Sequence, residues 1–276
     1  MANNMKHVML ASDFDGTLCQ SYTPETYPAT EEVLSAIRAF RADGGIFGIA
    51  TGRDWYWGWR ELDENGKLDF DFIITLSGAQ IYDRAGGLLY EAVADGRADV
   101  GGKPLARALA ERCWELVGDV LFFNVGKDRY YFSPNLPDGG EYDGDSYSPH
   151  AMLDEIGAFH MAGAIGQDAG KIPPAADLLT KEFGAHLNFL LGSRSIDIPP
   201  CGIDKGAAVA VCAERLGIPT EHIWTAGDSG NDLAMLGKPF HGCAMAGGTQ
   251  AAKDAAEFVC RDITEVIARI RESQQN

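Results

Sequence analysis

The stretch that most constrains this chain is His7 to Leu18, HVMLASDFDGTL, in which an apolar run, Val8 to Ala11, ends in two carboxylates one residue apart, Asp13 and Asp15. A short apolar run closed by a turn signal is the pattern of a strand buried on both faces of a parallel sheet. Side chains two apart on an extended chain point the same way, so Asp13 and Asp15 are expected to project together from the strand's carboxyl end. Open α/β sheets bind their ligands at that end. Two carboxylates held side by side repel, and a hard cation such as Mg²⁺ relieves that repulsion. The bland alternative is a strand that runs into an acidic turn, because Asp and Gly are ordinary turn residues.

The 276 residues, 46% hydrophobic and 23% charged, are enough for one large domain or two with a sizeable core. A formal net charge of −17 argues against general affinity for nucleic acid or anionic membrane surfaces, both of them polyanions. An anionic substrate must then be held by local positive groups or a metal. The first residues, MANNMKHVML, hold too short an apolar segment for a signal peptide, and no run approaches the roughly 18 residues that cross a bilayer. A cytoplasmic location is the resulting expectation. The six cysteines (Cys19, Cys113, Cys201, Cys212, Cys243, Cys260) are scattered and form no C-x-x-C, which points to reduced thiols and not to a zinc site or disulfide framework.

Taken in order, the chain alternates strand and helix. Thr30 is placed to cap a helix carrying Val33, Leu34, Ile37 and Phe40 at helical spacing, stopped by Gly44 and Gly45. Ile46 to Ala50 is a second strand, ending in Thr51, Gly52 and Arg53, and Phe70 to Leu76 a third, followed by a short extension at Ile81 and Tyr82. These units predict a doubly wound parallel α/β sheet. From about residue 84 the pattern changes to hairpins, DRAGGLLYEAV and LFFNVGKDRYYF, with helices around Leu105 to Val117 and Ala175 to Phe183 and strands at Phe159 to Ile165 and His186 to Leu191. Residues 84–194 therefore read as an α+β domain inserted between core segments 1–83 and 195–276. The acidic EYDGDSYSPH lacks the Gly and the terminal Glu of a calcium loop and reads as a solvated loop. Parallel character returns with a helix from Lys205 to Leu216 closed by Gly217, strands at His222 to Ala226, Gly242 to Ala246 and Phe258 to Cys260, and a last helix capped by Asp262 and Glu265.

Four places thus present polar groups at element boundaries: Asp13 with Asp15, Thr51 with Gly52, Lys205, and Asp228 with Asn231 and Asp232. In this order the segments DFDGTL, ATGR, IDKG and GDSGND resemble the four motifs of the haloacid dehalogenase superfamily. The long insertion resembles the C2B cap of its Cof-type subfamily IIB, and LSGAQIYD, SIDIPPCGIDKGAAV and AMAGGTQAAKDAAEFV look like segments of that subfamily too. The resemblance implies a Rossmann-like core with a cap, and a Mg²⁺-dependent phosphatase acting on small phosphorylated metabolites such as sugar phosphates. It implies that Asp13 is the nucleophile taking the phosphoryl group and Asp15 the general acid and base. It further implies phosphate contacts from Thr51, from the N–H groups of Phe14 and Gly52, from Lys205 and from Asn231, and a metal site built by Asp13, the carbonyl of Asp15, Asp228 and Asp232.

Two places depart from the pattern. Gly247 stands where the subfamily commonly has Asn, so a contact supporting the fourth motif is missing or replaced, and Trp55, Tyr56, Trp57 and Trp59 crowd the segment after TGR, as packing or as a substrate platform. The rival readings are a phosphosugar mutase or disaccharide-phosphate phosphatase of the same superfamily, and a non-catalytic receiver-like sensor of phosphate or metal. Asp15 speaks against the sensor, because a proton-shuttling group shortens the life of a phosphoaspartate. The sequence is silent on the individual substrate and on oligomeric state.

Overall fold

The computed structural model describes residues 5, 7–23, 25–56, 62, 66–142, 144–192 and 194–275. The chain forms two compact units, Met1–Tyr90 with Asp204–Asn276, and Glu91–Ile203. The first is built on an eight-stranded sheet. Its strands are β1 (Met9–Ser12), β2 (Ile46–Ala50), β3 (Phe72–Thr75), β4 (Gln80–Asp83), β5 (Leu88–Glu91), β6 (Ile223–Gly227), β7 (His241–Met245) and β8 (Phe258–Cys260). They lie in the order β8-β7-β6-β1-β2-β3-β4-β5. From β8 across to β3 every neighbour is parallel, and β4 folds back antiparallel on β3.

The sheet is covered on both faces, as the unbroken apolar runs of its central strands require. Val8 and Leu10 join a core that includes the helices Glu31–Ala42 and Ile263–Ser273, whereas Met9 and Ala11 join one that includes Lys205–Leu216. Local chemistry sets the helix ends where the sequence placed them. The Thr30 hydroxyl accepts from the Val33 N–H, Asp262 accepts from the N–H groups of Thr264 and Glu265, and Gly217 closes its helix in the left-handed conformation. Parallel β1 has its carboxyl end between those of β2 and β6, so the loops following these three strands are neighbours.

The second unit has a seven-stranded sheet with the hairpin Val120–Val125 and Asp128–Phe132 near its middle. The helices Leu105–Leu116 and Ile172–Phe183 bury Leu105, Leu109, Cys113, Ala175, Leu179 and Phe183 in the core of this unit. It runs from 91 to 203 and not from 84 to 194. Leu88–Glu91 belongs to the sheet of the first unit, which moves the first boundary, and Ser195–Ile198 pairs with Met161–Ile165, which moves the second. Two local readings also change. The acidic segment is a short hairpin, Gly140–Tyr142 paired with Asp145–Tyr147, and the expected strand from His186 shrinks to Leu190–Leu191. All six cysteines are free thiols, five buried and Cys201 exposed. No described helix is long and apolar enough to cross a membrane.

Candidate active site

Asp13 follows β1 directly, and its N–H extends the sheet by donating to the Ala226 carbonyl at 2.8 Å. The chain then turns sharply: Cys19 N–H donates to Phe14 O at 2.8 Å and Leu18 N–H to Asp13 O at 3.3 Å. Gly16 makes this turn possible. Its φ is +85°, and a Cβ there would lie 2.7 Å from Asp228 Oδ2. Phe14 points into the core beneath the turn and meets Tyr27 edge-on, so only its backbone can serve a ligand.

Asp228 follows β6, and Thr17 Oγ1 donates to its Oδ1 at 3.2 Å. Asp232 folds back over the same turn. Its Oδ2 accepts from the N–H groups of Asp228 at 2.9 Å and Ser229 at 3.0 Å, which satisfies donors at the start of the next helical turn. Asn231 lies beside them, its Oδ1 accepting from Ser229 Oγ at 2.8 Å.

Lys205 ties the two loops together. It opens a helix whose cap is Asp204, with Oδ1 accepting from Ala207 N–H at 2.7 Å. Its fully buried Nζ donates to Asp13 Oδ1 at 2.6 Å and to Asp232 Oδ1 at 2.7 Å. Asp13, Asp228 and Asp232 each bring a carboxylate oxygen within 4.8 Å of the others. Three carboxylates thus face one ammonium. Burial, then the charge of Asp232, holds the Asp13 carboxyl well above the usual carboxylate range although Lys205 opposes this, and burial with Asp232 also raises Asp228. Burial alone would lower the Lys205 ammonium, but Asp13 and Asp232 outweigh it and hold the group firmly protonated.

This donor set fits a hard divalent cation, because it is all oxygen, negatively charged and mostly withdrawn from water. Asp13 and Asp228 are the residues suited to hold the ion. Asp232 has both oxygens engaged by Lys205 and backbone N–H groups, so it suits an orienting role.

Thr51 follows β2 and is buried, with its N–H on Ile74 O at 2.9 Å and its Oγ1 accepting from Arg53 N–H at 3.2 Å. Gly52 lies partly exposed beside it. Asp15 stands apart from the buried cluster: its carboxylate is gripped by Arg53. Sequence reasoning noted Arg53 only as part of TGR, and its signal was a cation at one strand end in a set whose first and fourth members each carry two carboxylates. It also missed Thr17 and Ser229, whose hydroxyls hold Asp228 and Asn231.

The two departures acquire structural accounts. Support for Asp228 comes from Thr249, whose N–H donates to Asp228 O at 2.8 Å, and from the close approach of Gly248, while a Cβ at Gly247 would meet no described atom within 4 Å. Trp55 packs on Tyr82, ring centroids 3.9 Å apart, at the edge of the core, whereas Tyr56 is 59% exposed. Trp57 and Trp59 lie outside the described residues.

Comparison with known proteins places the chain in a family. The chain is 27% identical over 255 residues to a 5-amino-6-(5-phospho-D-ribitylamino)uracil phosphatase of Bacillus subtilis, covering 91% of this chain and 88% of that one. It is 26% identical over 261 residues to an HMP-PP phosphatase of Klebsiella pneumoniae, covering 86% and 83%. In fold it is similar to a HAD subclass IIB sugar phosphatase, with a TM-score of 0.73 at 20% identity over 97% of this chain and 98% of that one. A HAD/COF-like hydrolase from Plasmodium vivax gives a TM-score of 0.74 at 20% identity, over 98% and 96%. The profile of the haloacid dehalogenase-like hydrolases matches residues 10–268, nearly the whole sequence, and the chain belongs to that family.

Proposed function

We propose that this protein is a Mg²⁺-dependent phosphatase that hydrolyses small phosphate monoesters, sugar phosphates among them, by way of an aspartyl phosphate on Asp13. The observation that carries the reading is the buried Lys205 shared between Asp13 and Asp232 at the carboxyl ends of β1 and β6. Phosphoryl transfer asks a protein mainly for positioning and charge compensation. Lys205 supplies both: it fixes which Asp13 oxygen is engaged, leaving the other to face phosphorus, and it offsets the negative charge an incoming phosphate adds. A divalent ion bound by Asp13 and Asp228 supplies further charge compensation for the phosphoryl oxygens.

The remaining roles follow from position. Asp15 lends a proton to the departing alkoxide and then takes one from water, restoring Asp13. Thr51 and the backbone N–H groups of Gly52 and Phe14 cradle the phosphoryl oxygens, with Asn231 beside them. The named relatives act on a phosphoribitylamino compound and on HMP-PP, which share a phosphate and differ in the organic part. Choice among alcohols is assigned to the inserted unit, 91–203, on the resemblance of the insertion to a C2B cap. Phosphate release from a panel of phosphorylated metabolites, with Mg²⁺ and again after chelation, tests the reading. Metal-dependent release from at least one sugar phosphate is expected, and full activity in chelated protein would refute it.

A further inference from the structure

We propose that Arg53 is a positioning residue that aims Asp15. Its Nε donates to Asp15 Oδ2 at 2.7 Å and its Nη2 to Oδ1 at 2.6 Å, a two-pronged grip across 38 positions of sequence. A fork of this kind fixes the plane and the direction of a carboxylate. It takes one lone pair of each oxygen and leaves another on each for proton exchange. The guanidinium is itself held. Nη2 also donates to the Tyr22 hydroxyl at 3.0 Å, and the group lies 5.7 Å from the Phe14 ring centre and 5.8 Å from that of Tyr22.

The backbone of Arg53 is pinned as well. Leu76 N–H donates to Arg53 O at 2.9 Å and Ser77 N–H to Thr51 O at 3.0 Å. Leu76 and Ser77 have φ of +51° and +52°, a left-handed conformation that side chains other than Gly adopt only where the surroundings fix it. Gly78 completes the turn at φ +113°, where a Cβ would lie 2.3 Å from Asp204 O. A strained turn thus braces the segment from Thr51 to Arg53 against the cap of the Lys205 helix. An ordinary surface ion pair has no such backing and little effect.

The inference rests on the acid–base role proposed for Asp15, and a double-mutant cycle on the full-length protein tests it. The variants are Arg53→Met, Arg53→Lys, Asp15→Asn and Arg53→Met with Asp15→Asn, on p-nitrophenyl phosphate and on an alkyl phosphate that the unaltered protein hydrolyses. Arg53→Met should lower kcat on the alkyl phosphate roughly 10- to 100-fold with KM within about twofold, and lower it less on the aryl ester, whose leaving group needs little proton. Arg53→Lys should recover only part, because an ammonium cannot grip both oxygens. It carries the same comparison if Arg53→Met does not fold. In the Asp15→Asn background, Arg53→Met should change kcat by less than about twofold. Multiplying losses, or equal losses on both esters, would overturn the proposal while leaving the phosphatase reading intact. Unchanged kcat in Asp15→Asn on the alkyl phosphate would overturn the role of Asp15, and that of Arg53 with it.

Discussion

Asp13 and Asp15 stand two residues apart on one turn and meet opposite surroundings. Asp13 is 5% exposed and its ammonium partner not at all, whereas the side chains of Asp15 and Arg53 are 42% and 34% exposed. Lys205 is a point charge divided between two buried carboxylates; Arg53 is a planar fork that engages both oxygens of Asp15. A buried ion cluster is stabilising only as a complete set, because removing one member strands the others in a medium that solvates them poorly. A half-exposed pair contributes little to folding, so its value lies in direction. The contrast suits the roles proposed for them, a nucleophile that must not move and a proton carrier that must remain within reach of solvent.

The contrast can be broken at several points, starting with the largest expected effect. Asp13→Asn should cut turnover on the order of 10⁴-fold or more while the circular dichroism spectrum is retained. Phosphate release near the unaltered rate would remove Asp13 from the attacking role. Lys205→Met should lower unfolding free energy in denaturant by about 3–5 kcal/mol, since Asp13 and Asp232 lose their shared counter-charge. Arg53→Met should lower it by about 1 kcal/mol or less. Equal losses would erase the distinction between the two carboxylates.

A smaller effect concerns metal and pH. Asp13 and Asp228 are held above the usual carboxylate range, first by burial and next by Asp232. A carboxyl raised in the native state stabilises the fold at low pH, and that contribution fades as pH climbs through the native value. Mg²⁺ competes with those protons, so it should offset the loss. The rise in melting temperature on adding Mg²⁺ should accordingly be larger at about pH 7 than at about pH 5. A constant or shrinking difference would exclude Asp13 and Asp228 as ligands. The smallest effect is expected for Asp204→Ala, which removes the cap of the Lys205 helix. It should cost about 1 kcal/mol and a few-fold in kcat, and a silent variant would show that the cap does not set the lysine.

Much of the fold was legible because its signals are local. Thr30, Gly217 and Asp262 mark helix ends through bonds to residues no more than four positions away, and the apolar runs of β1, β2 and β6 announce a sheet covered on both faces. The four polar boundaries were legible for the same reason, and the fold places those after β1, β2 and β6 side by side. What escaped was any feature set by distant partners. The left-handed turn at Leu76 and Ser77 depends on the carbonyls of Thr51 and Arg53, and nothing in its own residues demands it. Leu88–Glu91 reads as half of a free hairpin until the edge at β4 is there to receive it. The Arg53 grip on Asp15 is likewise invisible to spacing, because it joins loops from two different strands.

The central position of β1 has a consequence for synthesis on the ribosome. One of its neighbours, β2, follows within the first fifty residues, but the other, β6, begins only at Ile223. Until then the nascent sheet carries a bare apolar edge, the kind of surface that invites wrong partners. The continuous segment Glu91–Ile203 meanwhile has all its own strands in hand and can close its core first. At typical translation speeds of about 5–20 residues per second, the wait between β2 and β6 lasts on the order of ten seconds or more. The bond from Lys205 to Asp13, spanning 192 positions, is among the later contacts to form, so a released but incompletely folded chain would hold the acidic turn without its lysine.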